Sequence, residues 1–183
     1  MKDADSDLAQ VGSQPKQIRP VVWFAIIAAV TIAVDQATKF LAEAGLADGH
    51  RIDLIGDFLG LRLVYNPGAA FSFGANTTWV LTLLATAVAV VIIRIAPRVS
   101  SWAWIWALSL LLGGAIGNLI DRFFKDPGFP EGKVVDFIDY GIFVGNVADI
   151  AIVAAAIFMV YLGIRGKDLT TTTTAVREVG SDE

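Results

Sequence analysis

Between Gly113 and Asp149 the chain carries Asp121, Asp126, Glu131, Asp136, Asp139 and Asp149, and Asn118 and Asn146 each stand three residues ahead of an aspartate. Two of these carboxylates are set among apolar neighbours. Asp136 lies between Val134-Val135 and Phe137-Ile138, and Asp149 between Val147-Ala148 and Ile150-Ala151. Two carboxylates held close together cannot both ionise readily, so one keeps a proton near neutral pH. The ionised partner can then deprotonate a water while the protonated one polarises a carbonyl, which is the chemistry of an aspartic protease. A lone aspartate at position 149 would equally serve as a helix cap, with Asn146 as the alternative cap. Residue types alone do not choose Asp136 over Asp121.

Other chemistries lack their residues. The 183-residue chain has no cysteine, so disulfides, thiolate metal sites and a cysteine nucleophile are excluded. Its single histidine, His50, cannot furnish a His-rich metal site, and neither a His-Glu-x-x-His nor a Gly-x-Ser-x-Gly motif occurs. No metal and no organic cofactor is expected. The basic residues are scattered rather than clustered, which argues against nucleic acid as a partner.

Further candidates surround the acidic stretch. Asp35 and Lys39, four residues apart on one helix face, form a charge pair inside an apolar segment. An ionisable residue there is a functional candidate, and the plainer alternative is an ion pair tethering the helix end to an outer sheet. Asn66-Pro67-Gly68 is a turn signal, read first as a hairpin turn, whose glycine would also let a peptide approach closely. Gly113 and Gly117 make a small-xxx-small face for helix packing. Asp121-Arg122 reads as an interfacial pair at a membrane exit, and Arg122 could clamp a carbonyl or carboxylate.

These residues must be positioned by a membrane scaffold. Apolar residues make up 55% of the chain and charged residues 17%, against about 25% charged in water-soluble domains. A span needs roughly 20 apolar residues, and four are found, at about 21–44, 77–95, 102–120 and 147–164. The run from Val21 to Val34 is like a signal-peptide core, but Asp35 and Lys39 interrupt it and the segment is long enough to span. Asp35 comes about 21 Å along it. Lys16 and Arg19, Arg94 and Arg98, and Arg165 and Lys167 all fall on one side of a four-span topology, so both termini are expected in the cytoplasm. The two long connections then lie on the outer face. Phe58 to Tyr65 has strand character, which predicts a small sheet there. Residues 1–20 and 168–183 read as disordered cytoplasmic tails flanking a peptidase domain over 21–167. The expected fold class is mainly α, a polytopic membrane protein of four transmembrane helices with a small extracytoplasmic β-sheet and an outer loop over the site.

Five motifs now stand in order: Asp35-Gln36-Ala37-Thr38-Lys39, Asn66 through Ser72, Gly113 through Arg122, Val134-Val135-Asp136-Phe137, and Asn146-Val147-Ala148-Asp149. Over Val21 to Arg165 the chain resembles the bacterial lipoprotein signal peptidases, or signal peptidase II. The resemblance implies an intramembrane aspartic endopeptidase of the bacterial plasma membrane, cutting prolipoproteins just before a diacylglyceryl-modified cysteine. It implies Asp136 and Asp149 as the catalytic dyad, leaving Asp121 outside it. Asn118, Arg122 and Asn146 match polar residues around the dyad, and Asp35, Lys39, Asn66 and Gly68 match supporting positions. The implied partners are diacylglyceryl-modified prolipoproteins and membrane lipid, with the chain acting as a monomer and its site near the outer face. Two departures mark this chain: a shorter segment between Asp136 and Asp149, and Gly145 where an aromatic residue is usual.

Overall fold

Four helices carry the apolar segments in a computed structural model that describes residues 19–68 and 78–170. They are α1 (Pro20–Gly45), α2 (Thr78–Ile95), α3 (Trp102–Phe124) and α4 (Val147–Ile164). Each is long and apolar enough to cross a membrane. Even the shortest rises about 27 Å, close to the thickness of a bilayer's hydrocarbon core. Pro20 opens α1, where its missing N–H removes no helical hydrogen bond. Helix α3 runs a turn beyond the expected end at Ile120, because Asp121 and Arg122 are buried in protein instead of marking the lipid boundary.

Helix α3 is the axis against which α1, α2 and α4 pack. Lipid tails are as apolar as leucine, so such contacts depend on close van der Waals fit. The glycines of α3 supply it. A Cβ on Gly113 would stand 2.6 Å from Thr31 Cβ of α1, and one on Gly114 would stand 2.6 Å from the Ala148 carbonyl oxygen of α4. Helix α4 returns the buried alanines Ala148, Ala151 and Ala155. The outward faces carry exposed Leu83, Leu84, Val91, Ile157 and Val160, as lipid-facing surfaces do.

At one end of the bundle a 3₁₀ turn, Ala96–Arg98, leads from α2 toward α3. The segment after α4 returns to this end. The Leu169 carbonyl accepts from the Ser100 and Ser101 backbone N–H groups at 3.1 and 3.2 Å, and Trp104 Nε1 donates to the Lys167 carbonyl at 2.7 Å.

At the other end lies an antiparallel sheet in the order β1 (Ile52–Ile55), β2 (Leu59–Asn66), β3 (Val134–Asp139) and β4 (Val144–Gly145). The sequence predicted strand structure only around 58–65; the other half comes from the second long connection. Val64 faces Asp136 across the β2–β3 pair. Phe137 packs with Leu61 and Leu63 onto Ala42 and Leu46 at the end of α1, seating the sheet on the bundle. Asp139, the last residue of β3, holds Arg51, just ahead of β1, with Nε at 3.0 Å, and Arg62 of β2 with Nε at 3.4 Å. Residues 69–72 of the Asn66–Ser72 motif, the start of the second span at 77 and most of both tails lie outside the described residues.

Candidate active site

Asp136 is the third residue of β3 and Asp149 the third residue of α4. The chain between them makes a tight excursion through β4, and Asn146 ends it. That asparagine is the N-cap of α4. Its side chain accepts the Asp149 backbone N–H at 2.9 Å, while Asp149 Oδ2 accepts the Asn146 backbone N–H at 3.1 Å, a reciprocal capping box. The same side chain donates from Nδ2 to Asp136 Oδ1 at 2.6 Å. One residue therefore ties both carboxyl groups together. Asn66 Nδ2 donates to the other oxygen of Asp136 at 2.7 Å, and Asn118 Nδ2 to Asp149 Oδ1 at 2.9 Å. Four amide donors thus reach four carboxyl oxygens, and each oxygen keeps a further lone pair for a proton or a water.

Asp136 is 2% exposed. Burial pushes its carboxyl up to about 6, and the nearby Asp149 charge adds to the rise, against the hydrogen bonds from Asn66 and Asn146. This is the behaviour of a carboxyl suited to holding a proton near neutral pH.

Beneath the two aspartates lies a buried charge cluster. Lys39 is 2% exposed, and its Nζ reaches Asp35 Oδ2 and Asp121 Oδ2, each at 2.8 Å, and Asn118 Oδ1 at 3.0 Å. All three ammonium protons are thereby used. Because Lys39 can only donate, it fixes which end of the Asn118 amide faces Asp149. The two acids reach onward to main chain. Asp35 Oδ1 accepts the Ala148 N–H at 2.8 Å, and Asp121 Oδ2 accepts the Val135 N–H at 3.1 Å. Each contacted peptide N–H belongs to the residue just before one of the central aspartates. Gln36 Nε2 adds bonds to the Gly117 carbonyl and to Asp121 Oδ1 at 3.1 and 3.3 Å. Gly117 makes room for this: a Cβ there would lie 2.6 Å from Asp35 Oδ2.

The cluster corrects two expectations. Asp121 is no interfacial pair with Arg122; it is 1% exposed and bonded to Lys39, which lies 82 residues away in sequence. Nor does the Asp35–Lys39 pair tie α1 directly to the sheet. Asp35 holds the start of α4, and Asp121 is the acid that reaches β3. The reading of Asn66-Pro67-Gly68 as a hairpin turn also fails. β2 pairs with β1 and β3, and Asn66 turns its amide onto Asp136 while its Oδ1 accepts the Gly68 N–H at 2.7 Å. Gly68 adopts φ 106°, and a Cβ there would strike Leu81 at 2.5 Å.

Arg122 is buried, and its Nη1 donates to the Gly132 carbonyl at 3.0 Å. Among the described residues this is its one hydrogen bond, so most of its guanidinium donors remain for a further partner. Sequence reasoning overlooked Gln36, Gly132 and the Tyr140–Phe143 stack, whose ring centroids lie 4.7 Å apart. Gly132 was detectable as the last glycine of a turn-rich run; a Cβ on it would stand 2.6 Å from the Asp121 and Arg122 carbonyl oxygens. Among the described residues, no group of three His, Asp or Glu side chains has the geometry to hold a metal ion.

Comparison with known proteins gives one consistent answer. The family model described as signal peptidase (SPase) II matches residues 27–165. A lipoprotein signal peptidase of Rhodococcus jostii is 49% identical over 142 residues, covering 77% of this chain and 72% of that protein. One from Bifidobacterium longum is 45% identical over 147 residues, covering 80% and 81%. Among solved structures, a bacterial membrane enzyme superposes with a TM-score of 0.66 at 25% identity, over 78% of this chain and 92% of its own.

Proposed function

Since the chain belongs to the signal peptidase II family, the protease that removes signal peptides from prolipoproteins, we propose that Asp136 and Asp149 are its catalytic dyad. The observation that carries this reading is Asn146, which donates to Asp136 and shares a capping box with Asp149. It links two carboxyl groups at the sheet end of a membrane bundle, where water and a membrane-embedded peptide can both arrive.

In the cycle that follows, Asp136 holds the proton and Asp149 is the base. Asp149 takes a proton from a water whose oxygen attacks the carbonyl carbon before the lipid-modified cysteine. Asp136 donates its hydrogen bond, then its proton, to the carbonyl oxygen. The tetrahedral intermediate collapses as Asp149 returns its proton to the departing nitrogen and Asp136 recovers its own. The products are a signal peptide with a new carboxylate and a lipoprotein with a free amino-terminal cysteine. Arg122, with guanidinium donors to spare, receives a substrate carbonyl. Asn118, Asn66 and Asn146 orient the dyad, and Asp35, Lys39 and Gly68 support it from below and beside.

The same reading places both termini in the cytoplasm and the sheet on the outer face, with the enzyme working as a monomer in contact with lipid. Asp136→Asn and Asp149→Asn are each expected to abolish cleavage of a diacylglyceryl-modified prolipoprotein in proteoliposomes, read by its gel mobility. Membrane insertion and protein level should be unaltered. Normal processing by either variant overturns the dyad assignment.

A further inference from the structure

Helices α1 and α4 close on each other near the sheet, where Asp35 Oδ1 accepts the Ala148 N–H at 2.8 Å. Away from that contact a groove of about 670 Å³ separates them, floored by Trp102, Trp106 and Leu110 of α3. Its sheet end is shut: the lining residues there, Val34 and Val147, adjoin the bonded Asp35 and Ala148. From Trp23 to Val34 the groove covers about 16 Å of helix rise, the depth of one leaflet in a hydrocarbon core of roughly 30 Å. The walls are hydrocarbon, and the hydroxyl of Thr31 is spent on the Ile27 carbonyl at 2.9 Å. At the open end Trp23 and Trp102 stand with ring centroids 5.9 Å apart, and Trp102 and Trp106 are half exposed. Tryptophan rings at a span end bridge hydrocarbon and head groups. Just beyond them the charge is positive. Arg19 caps α1 four residues ahead of Trp23, and the Lys167 carbonyl is held by Trp104 Nε1 at the start of α3. Arg94, Arg98 and Arg165 stand at the same end of the bundle, against one described acid, Asp168.

We propose that this groove is a binding site for an anionic phospholipid of the leaflet away from the sheet, with an acyl chain in the groove and the phosphate at Arg19 and Lys167. The site is independent of the dyad assignment, since neither Asp136 nor Asp149 lines it. Its layout selects the occupant. A slot that is apolar, shut at one end and cationic at the other has the polarity of a phospholipid. A partner helix, or a second copy of this chain, would run the full depth of the core and meet the closure at Asp35 and Ala148. Charge selects the head group. Basic residues beside a groove between membrane helices receive anionic heads, whereas a zwitterionic lipid would bring its own cation to an end that already carries five. Moving a chain from bilayer to groove gains no hydrophobic energy, since both are apolar. The preference therefore comes from the phosphate, and the groove fixes where it is expressed.

The test uses full-length Trp79→Phe protein in phosphatidylcholine vesicles. Its remaining tryptophans, Trp23, Trp102, Trp104 and Trp106, all lie in the first turns of α1 and α3. One-tenth of the lipid is replaced by phosphatidylglycerol, or by phosphatidylcholine, with brominated chains, which quench the tryptophan emission they touch. The phosphatidylglycerol is expected to quench at least threefold more strongly. Arg19→Gln with Lys167→Gln removes the two cations. Independently, Val30→Phe fills the groove from an exposed position on its wall and leaves the cations in place. Each should bring the two lipids to within about 1.5-fold of each other, while Val91→Phe, on an exposed face of α2, should keep the parent ratio. Equal quenching by the two lipids in the parent protein overturns the site, as it would if a second copy covered the groove. A preference that survives Val30→Phe also overturns it, because the cations alone would then be gathering the lipid around the helices.

Discussion

Lys39→Met removes, among the described residues, the one cation bonded to both Asp35 and Asp121, which are 0% and 1% exposed. Both carboxylates sit 2.8 Å from the ammonium, and methionine leaves them facing each other without the charge that bridges them. Breaking a buried pair by deleting one partner costs about 3–5 kcal/mol, a large share of a typical stability of 5–15 kcal/mol. Activity suffers separately. Asn118 Oδ1 loses the shorter of its two donors, keeping only Asn146 Nδ2 at 3.2 Å, so the amide that donates to Asp149 Oδ1 at 2.9 Å is held less firmly. Thermal unfolding in detergent measures the first effect and proteoliposome cleavage the second. The variant should unfold at a markedly lower temperature and lose at least tenfold in kcat/KM. Asp121→Asn supplies the second edge of a double-mutant cycle. With Lys39 already absent, neutralising Asp121 relieves repulsion, so the double variant should be less destabilised than the sum by about 1–3 kcal/mol. A Lys39→Met protein within 1 kcal/mol of wild type, or a cycle additive to within about 0.5 kcal/mol, would show that the cluster does not act as a unit.

Asn146→Ala removes a cap worth about 1 kcal/mol and a donor to Asp136; stability should fall modestly, by thermal unfolding, and cleavage by at least a hundredfold. Gly117→Ala drives a methyl group into Asp35 Oδ2 and should cost 1–3 kcal/mol by the same unfolding assay, as overpacking does. For Asp136, the folded value of about 6 lies above the unfolded value near 3.9. The native state therefore binds this proton more tightly. Its contribution to stability is full below about pH 4 and is lost as pH rises through 6, up to about 3 kcal/mol. The unfolding midpoint should fall between pH 5 and 7.5, less steeply in Asp136→Asn; a midpoint rising across that window contradicts the assignment. Arg122→Lys keeps the charge but loses the planar fork, and should lower kcat/KM at least tenfold with little change in midpoint.

The helices were readable because a bilayer demands a long apolar run whatever the neighbours are. All four appear, with the antiparallel sheet expected at one end of them. The strand β3 was not readable as such. Val134–Asp139 is a short apolar run whose partner, β2, lies some 70 residues earlier, so nothing local distinguishes it from a loop at the lipid edge. Asp121 misled for a related reason. An Asp-Arg pair at a helix exit has the same local pattern whether it meets lipid or protein, and the lysine that decides the matter is on α1. The motif residues were recognisable individually, yet their roles are relations between elements: Asn118 is defined by Lys39 on one side and Asp149 on the other. Asn146 was legible as a cap from its place before Asp149; its bond to Asp136 was not.

The capping box at the head of α4 also has a place in the protein's biosynthesis. Asn146 and Asp149 stand at the head of α4, and Asp35, Lys39, Asn118, Asp121 and Asp136 are all translated before it. Until α4 seats against Gly114, Asp35 lacks its backbone N–H partner, Asp136 lacks one of its two amide donors, and no second carboxylate stands beside it. A chain in which α4 has not yet seated therefore lacks one of the two proposed catalytic carboxylates. On the proposed assignment, the two carboxyl groups meet only once α4 has packed against α3, so the site is assembled by the docking of that helix.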